Sequence, residues 1–85
     1  MDVELFRMAK YGLGLTNKAI EEQSGIHRNT VNRAELGRAS PDTMLQLQKF
    51  FTDLGVRFVE TEDGLYGILV PNKVHSTSAQ QETQT

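Results

Sequence analysis

Residues 15–37 read LTNKAIEEQSGIHRNTVNRAELG, the most informative stretch of the chain. Its pattern predicts a short helix over 17–24, a tight turn at Gly25 and a second short helix from about 28 to 36. The hydroxyl of Thr16 can accept a hydrogen bond from a free backbone N–H at the start of the first helix. Gly25 can adopt the positive φ angle that a sharp turn requires. The stretch therefore predicts two helices joined by a tight turn.

Arginine and asparagine side chains cover one side of the second predicted helix. Val31 and Ala34, three positions apart, are expected to face inward on its other side. Arg and Asn carry paired donors and acceptors that match the edges of guanine and adenine in the major groove. The pattern therefore predicts a helix that reads DNA sequence. The candidate base-reading residues are Arg28, Asn29, Asn32 and Arg33.

Two further helices are predicted around this unit. Residues 2–13 are expected to be helical because an apolar stripe is formed by Leu5, Ala9 and Leu13. Ser40-Pro41-Asp42 is a strong helix start, because a capping serine precedes a proline and an acid in the first turn. This fourth helix is expected to end just before Gly55. Its main seam, the row of side chains expected to pack on the other helices, comprises Met44, Leu45, Gln48, Phe51 and Leu54, and Leu47 and Phe50 widen the apolar surface.

After the fourth helix, apolar residues recur every 2 residues, as in a strand, instead of every 3.6, as in a helix. In this region VRFVE and LYGILV flank TEDG. Asp63-Gly64 is a favoured two-residue hairpin turn. Such a turn pairs Phe58 with Leu69 on one face and Val59 with Ile68 on the other. Both faces are then apolar, so one can cover the helices and the other predicts a partner subunit. The candidate dimer-interface residues are Val59, Tyr66, Ile68 and Val70.

The composition of the 85-residue chain, 38% hydrophobic and 24% charged, is typical of one globular domain. The absence of cysteine excludes disulfides and thiolate metal sites and agrees with a cytoplasmic location. The N-terminus lacks a signal-peptide layout, and no apolar run is long enough to span a membrane. We expect a mainly α fold, with a helix-turn-helix DNA-binding domain over 1–55, a β-hairpin for dimerisation over 56–70 and a flexible tail over 71–85.

A net charge of −2 is unusual for a protein that binds nucleic acid, but the charge is unevenly distributed. Residues 1–40 contain six basic and five acidic side chains, whereas residues 41–70 contain two basic and five acidic ones. The local field decides whether phosphates are attracted, so the first half of the chain is the expected DNA-facing part.

The helix order, Gly25, the run GIHRNTVNRAELG and the SPDT helix start together resemble the Xre/Cro/phage-repressor helix-turn-helix family. The resemblance covers roughly Leu5 to Leu54 and implies a four-helix, lambda-repressor-like fold. In that family the second helix of the motif enters the major groove and the first lies across the backbone. The resemblance also implies an ion pair between Lys10 and Glu35. The candidate phosphate contacts are Thr16, Asn17, Lys18, His27, Arg38 and Ser40.

The sequence departs from the family pattern at several positions. Glu21 stands where the family prefers alanine, tight against the recognition helix. Ala34 replaces a larger aliphatic residue, which would leave room for the stem of Glu21. His27 stands where serine or threonine usually caps that helix. The hairpin resembles the strand-based ends of small Cro-type proteins rather than the fifth helix of phage repressors.

These features predict a sequence-specific regulator of transcription that binds double-stranded DNA, with repression by a homodimer on a palindromic operator as the leading hypothesis. A prokaryotic phage or mobile element is the expected context. The alternative is an antitoxin-like module that binds a protein partner and autoregulates its own operon. A third hypothesis is a domain that keeps the helices but not the DNA contact. We expect no catalytic residues, no enzymatic activity, no metal site and no cofactor, because no nucleophile–base pair is present and His27 has no second ligand four positions on.

Overall fold

The computed structural model describes residues 1–71. Within these residues four helices precede a two-stranded antiparallel sheet, which confirms the predicted mainly α fold. None of these helices is long and apolar enough to cross a membrane. The elements are α1 (Val3–Leu13), α2 (Asn17–Ser24), α3 (Arg28–Glu35), α4 (Pro41–Asp53), β1 (Arg57–Glu60) and β2 (Tyr66–Leu69).

The helices begin at side chains that accept a hydrogen bond from the first turn. Thr16 accepts one from the backbone of Ala19 at 3.0 Å, and Ser40 accepts one from Thr43 at 3.2 Å. Gly25 ends α2 with a φ of 81°, a left-handed conformation that glycine adopts without steric cost. The helix boundaries predicted from these caps are confirmed to within one or two residues.

The core brings one face of each helix together. The rings of Phe6 and Phe51 lie 5.8 Å apart at the centre of this core. The predicted α4 seam is wrong at Leu45, which is 63% exposed, whereas Leu47 is fully buried. Apolar residues cover more than one face of α4, so periodicity alone could not decide which face packs inward. The buried apolar residues are Phe6, Ala9, Ile20, Val31, Ala34, Leu47, Phe51 and Val56.

The predicted hairpin register is wrong by one residue. Phe58 pairs with Ile68, not with Leu69. The reason is a loop one residue longer than the two-residue turn expected from Asp63-Gly64. Gly64 has a φ of 90°, and its N–H donates to the carbonyl of Thr61 at 3.1 Å. A turn that ends in a left-handed glycine is the usual form of a three-residue hairpin loop.

The corrected register changes which side chains face the helices. Ile68 lies on the same face as Phe58 and packs against the core, whereas it was expected beside Val59 on the outer face. Val59 and Leu69 lie on the outer face and are 40% and 53% exposed. Val56, immediately before β1, is 1% exposed. The hairpin and the helices therefore share one core.

The first residue of the predicted tail, Pro71, also packs against the helices. A Cβ built on Gly55 would lie 3.3 Å from the ring of Pro71, so this proline packs on the end of α4. The rest of the predicted flexible tail, residues 72–85, lies outside the described residues.

Candidate nucleic-acid interface

The α2–turn–α3 unit is held from below by apolar side chains. Ile20 of α2 and Val31 and Ala34 of α3 are fully buried. The N–H of Gly25 donates to the carbonyl of Glu21 at 2.9 Å and closes the end of α2. With α3 fixed along its underside, its opposite face is presented with a defined orientation.

The four candidate base-reading residues all lie on the exposed side of α3. At 3.6 residues per turn they span an arc of about 140°, and the arc is opposite the buried pair Val31 and Ala34. Two of the four fall in the first turn of α3, where recognition helices place their base contacts. The exposed residues are Arg28, Asn29, Asn32 and Arg33.

His27 caps α3. Its Nδ1 accepts a hydrogen bond from the N–H of Asn29 at 3.1 Å, so the imidazole replaces the serine or threonine oxygen that usually does this. His27 remains exposed at the end of the helix. This hydrogen bond fixes the N-terminal end of α3, where Arg28 is the first residue.

An ion pair joins the two helices of the motif. Nε of Arg28 donates to Oε1 of Glu21 at 3.1 Å, and the two side chains are 53% and 26% exposed. Partial desolvation raises the pKa of Glu21, but the hydrogen bonds and charge of Arg28, with the charge of His27, outweigh it and leave the pKa lowered. Glu21 thus contacts a candidate base-reading residue directly.

Most of the candidate phosphate contacts are exposed. Lys18 and Arg38 are exposed cations in or just after the helix-turn-helix unit. The side chains of Thr16, His27 and Ser40 are exposed as well, although each also caps a helix. The Thr16 hydroxyl still carries a proton that it can donate to a phosphate oxygen. The Ser40 hydroxyl already donates to Oγ1 of Thr43 at 3.1 Å.

Asn17 is placed differently from the other candidates. Its Nδ2 points toward Glu35 and donates to Oε1 at 3.3 Å. Its Oδ1 is buried without a hydrogen-bond partner in the described part of the chain. The amide therefore orients the start of α2 from inside rather than reaching outward to DNA.

Glu35 is the centre of a polar cluster that clamps α1, α2 and α3 together. Nζ of Lys10 lies 2.8 Å from Oε1, which confirms the predicted pair, and the hydroxyl of Tyr11 donates to Oε2 at 2.6 Å. A guanidinium nitrogen of Arg7 donates to the Glu35 carbonyl at 2.8 Å. The hydrogen bonds from Lys10 and Tyr11 lower the pKa of Glu35 to about 2.

Sequence reasoning missed Arg7, Tyr11 and Asn17 as members of this cluster. Arg7 and Tyr11 lie one turn apart on α1, on the face that also carries Lys10, and this spacing is the signal that could have found them. The cluster fixes the C-terminal end of α3, while His27 fixes its N-terminal end. Both ends of the exposed helix are therefore held.

Within residues 1–71 there is no group of three or more His, Cys, Asp or Glu side chains that could hold a metal ion. Comparisons with protein-family models, with curated proteins and with solved structures found no match. The resemblance to the Xre/Cro/phage-repressor family therefore stays a prediction from the motif itself.

Proposed function

We propose that this protein is a sequence-specific regulator of transcription that binds double-stranded DNA through α3. The observation that carries the proposal is the exposed arginine–asparagine face of α3, opposite an underside that is fully buried. The turn at Gly25, the His27 cap and the Glu35 cluster hold that face rigidly. A rigid helix with guanidinium and carboxamide tips has the size and chemistry to enter a major groove.

In this proposal α3 reads base edges, and residues around it bind phosphates. Arginine can donate two hydrogen bonds to guanine O6 and N7, and asparagine can pair with adenine N6 and N7. Each such pair discriminates by about 1–3 kcal/mol, so two or three give a useful half-site preference. Lys18 and Arg38 supply cations for the backbone, and affinity should fall steeply with salt as counterions are released.

We propose a homodimer that uses the outer face of the hairpin. Val59 and Leu69 are exposed apolar side chains there, beside Arg57, which pairs with Leu69. Leu65 at the loop is 65% exposed. Of the other predicted interface residues, Ile68 packs against the core of its own protomer. A dimer of this kind would place two copies of α3 about 34 Å apart, one helical turn of DNA, on a palindromic repressor site.

The remaining predicted interface residues also face α1 of the same chain. The hydroxyl of Tyr66 donates to Oε1 of Glu4 at 3.1 Å. Val70 lies so close to Gly12 that a Cβ there would come within 2.8 Å of its Cγ2. Only Val59 of the predicted set therefore belongs to the proposed outer interface, together with Leu69.

Selection of bound duplexes from a random pool tests the function. The wild-type protein should enrich a palindromic consensus. A double variant, Arg28→Ala with Arg33→Ala, should lose that consensus. The matched control, Arg28→Lys with Arg33→Lys, keeps the charge but not the planar two-donor geometry. It should retain salt-dependent binding and lose sequence preference. Failure of the wild type to enrich any sequence at low salt would contradict the proposal.

A further inference from the structure

We propose that Glu21 determines sequence specificity by holding Arg28 so that its terminal nitrogens point at a guanine in the DNA. This inference rests on the proposed function and assigns a role to a residue outside the exposed face of α3. Glu21 lies near the middle of α2, and Arg28 is the first residue of α3, so the pair spans the turn of the motif.

The geometry of the contact leaves the reading end of Arg28 free. The hydrogen bond to Glu21 uses Nε, at 3.1 Å. The guanidinium has five N–H donors in a fixed plane, and the remaining four lie on the two terminal nitrogens. Those two nitrogens form the edge that can bind guanine O6 and N7 together. Glu21 therefore binds Nε, the one donor of Arg28 that the guanine contact does not need.

The contact also limits the freedom of Arg28 before DNA arrives. An unrestrained arginine at an exposed helix start samples many rotamers and loses that freedom on binding. The side chain of Glu21 is only 26% exposed, so neighbouring atoms restrict its motion and it can hold the longer side chain of Arg28 in one orientation. Holding the guanidinium in advance reduces the ordering cost of the guanine contact and sharpens discrimination at that base.

The negative charge of Glu21 also affects binding to DNA of any sequence, and there it lowers the affinity. A carboxylate beside the DNA repels phosphates and partly neutralises Arg28, so it weakens binding that does not depend on sequence. Removal of the charge should therefore lower the preference for guanine while leaving binding to unrelated DNA equal or stronger. A residue that only stabilised the fold would weaken both.

The test measures dissociation constants for the enriched duplex and for an unrelated duplex. A third duplex replaces guanine with 7-deazaguanine at the position whose preference is lost in Arg28→Ala. Glu21→Ala should reduce discrimination against 7-deazaguanine by roughly 2- to 10-fold, the effect of ordering one long side chain. Glu21→Gln, which keeps a neutral acceptor for Nε, should fall between the wild type and Glu21→Ala.

Two controls separate this role from others. Glu22→Ala removes an exposed carboxylate from the next position and should leave discrimination unchanged. In an Arg28→Ala background, Glu21→Ala should have no further effect on the remaining preference for the enriched duplex over the unrelated duplex. Thermal denaturation of each variant shows whether it is folded at the temperature of the binding assay.

The inference is overturned when Glu21→Ala keeps the wild-type discrimination against 7-deazaguanine. It is overturned as well when Glu21→Ala lowers the preference for the enriched over the unrelated duplex equally with and without Arg28. It is also overturned when the wild type enriches a consensus in which no guanine depends on Arg28, although the proposed function then survives. A wild-type protein that enriches no sequence overturns both.

Discussion

Glu35 offers the most quantitative test of the clamp that holds α3, through the substitution Glu35→Gln. Glutamine keeps the shape of the side chain and removes its charge. Lys10, which is 7% exposed, then loses its anionic partner at 2.8 Å. A nearly buried ammonium whose acceptor has lost its charge is destabilising, so we expect the variant to unfold more easily than the wild type.

The expected loss of stability follows from the pKa of Glu35. Its hydrogen bonds with Lys10 and Tyr11 lower the pKa from 4.5 to about 2. At about 1.4 kcal/mol per pKa unit, ionised Glu35 stabilises the folded state by about 3 kcal/mol. Because folding lowers this pKa, the stabilisation is fully present above pH 4.5 and is lost as the pH falls toward 2. Near pH 3 about half of it should remain.

Urea denaturation followed by far-UV circular dichroism measures the effect, since the chain has no tryptophan. Near pH 7 the variant should be less stable by about 2–3 kcal/mol, with a melting temperature lower by about 10–20 °C. Near pH 3 the difference between the two proteins should shrink by about half. Glu22→Gln, at an exposed position of α2, is the control. A difference that stays constant between neutral and acidic pH would refute this account of the clamp.

Three further predictions concern the packing of the hairpin on α1, the cap of α3 and the dimer interface. Gly12→Ala places a Cβ 2.8 Å from Val70, so it should destabilise the protein by about 1–3 kcal/mol in urea denaturation. Adding Val70→Ala should recover part of that loss, and no recovery would argue against the contact. His27→Ala should lower the free energy of unfolding by about 1 kcal/mol, because the cap of α3 is lost, while His27→Ser should stay close to wild type. Equal stability of the two variants would count against capping by Nδ1. Leu69→Lys should weaken self-association in analytical ultracentrifugation by about 10- to 100-fold. Leu45→Lys on α4 should not, and equal behaviour of the two would move the interface elsewhere.

Local signals in the sequence were sufficient to predict the helices and the turn between them. Thr16 and Ser40 cap their helices with their own hydroxyls, and Gly25 adopts a positive φ. These features depend on interactions within a few residues, so the sequence reveals them. The exposed side of α3 was also predictable, because Val31 and Ala34 are its only inward-facing apolar pair.

Two features were not predictable in the same way: a hairpin loop whose sequence fits two lengths, and a contact between residues far apart in the sequence. The hairpin register depends on a loop that closes through Thr61 and Leu65, where the Thr61 N–H donates to the Leu65 carbonyl at 2.7 Å. Asp63-Gly64 fits a two-residue turn equally well by sequence. The sequence places Asn17 at the start of α2, where a phosphate contact is expected. Its amide instead turns inward to Glu35, which is 18 residues away in the sequence.

In the proposed function the exposed face of α3 touches the bases. NMR titration of the ¹⁵N-labelled protein with its enriched duplex detects this contact residue by residue. We expect the largest shift changes at the backbone amides of 28–33 and at the side-chain amides of Asn29 and Asn32. We also expect nuclear Overhauser effects from this face to base protons in the major groove. Shift changes confined to the hairpin or to α4, with α3 unaffected, would contradict the proposed function.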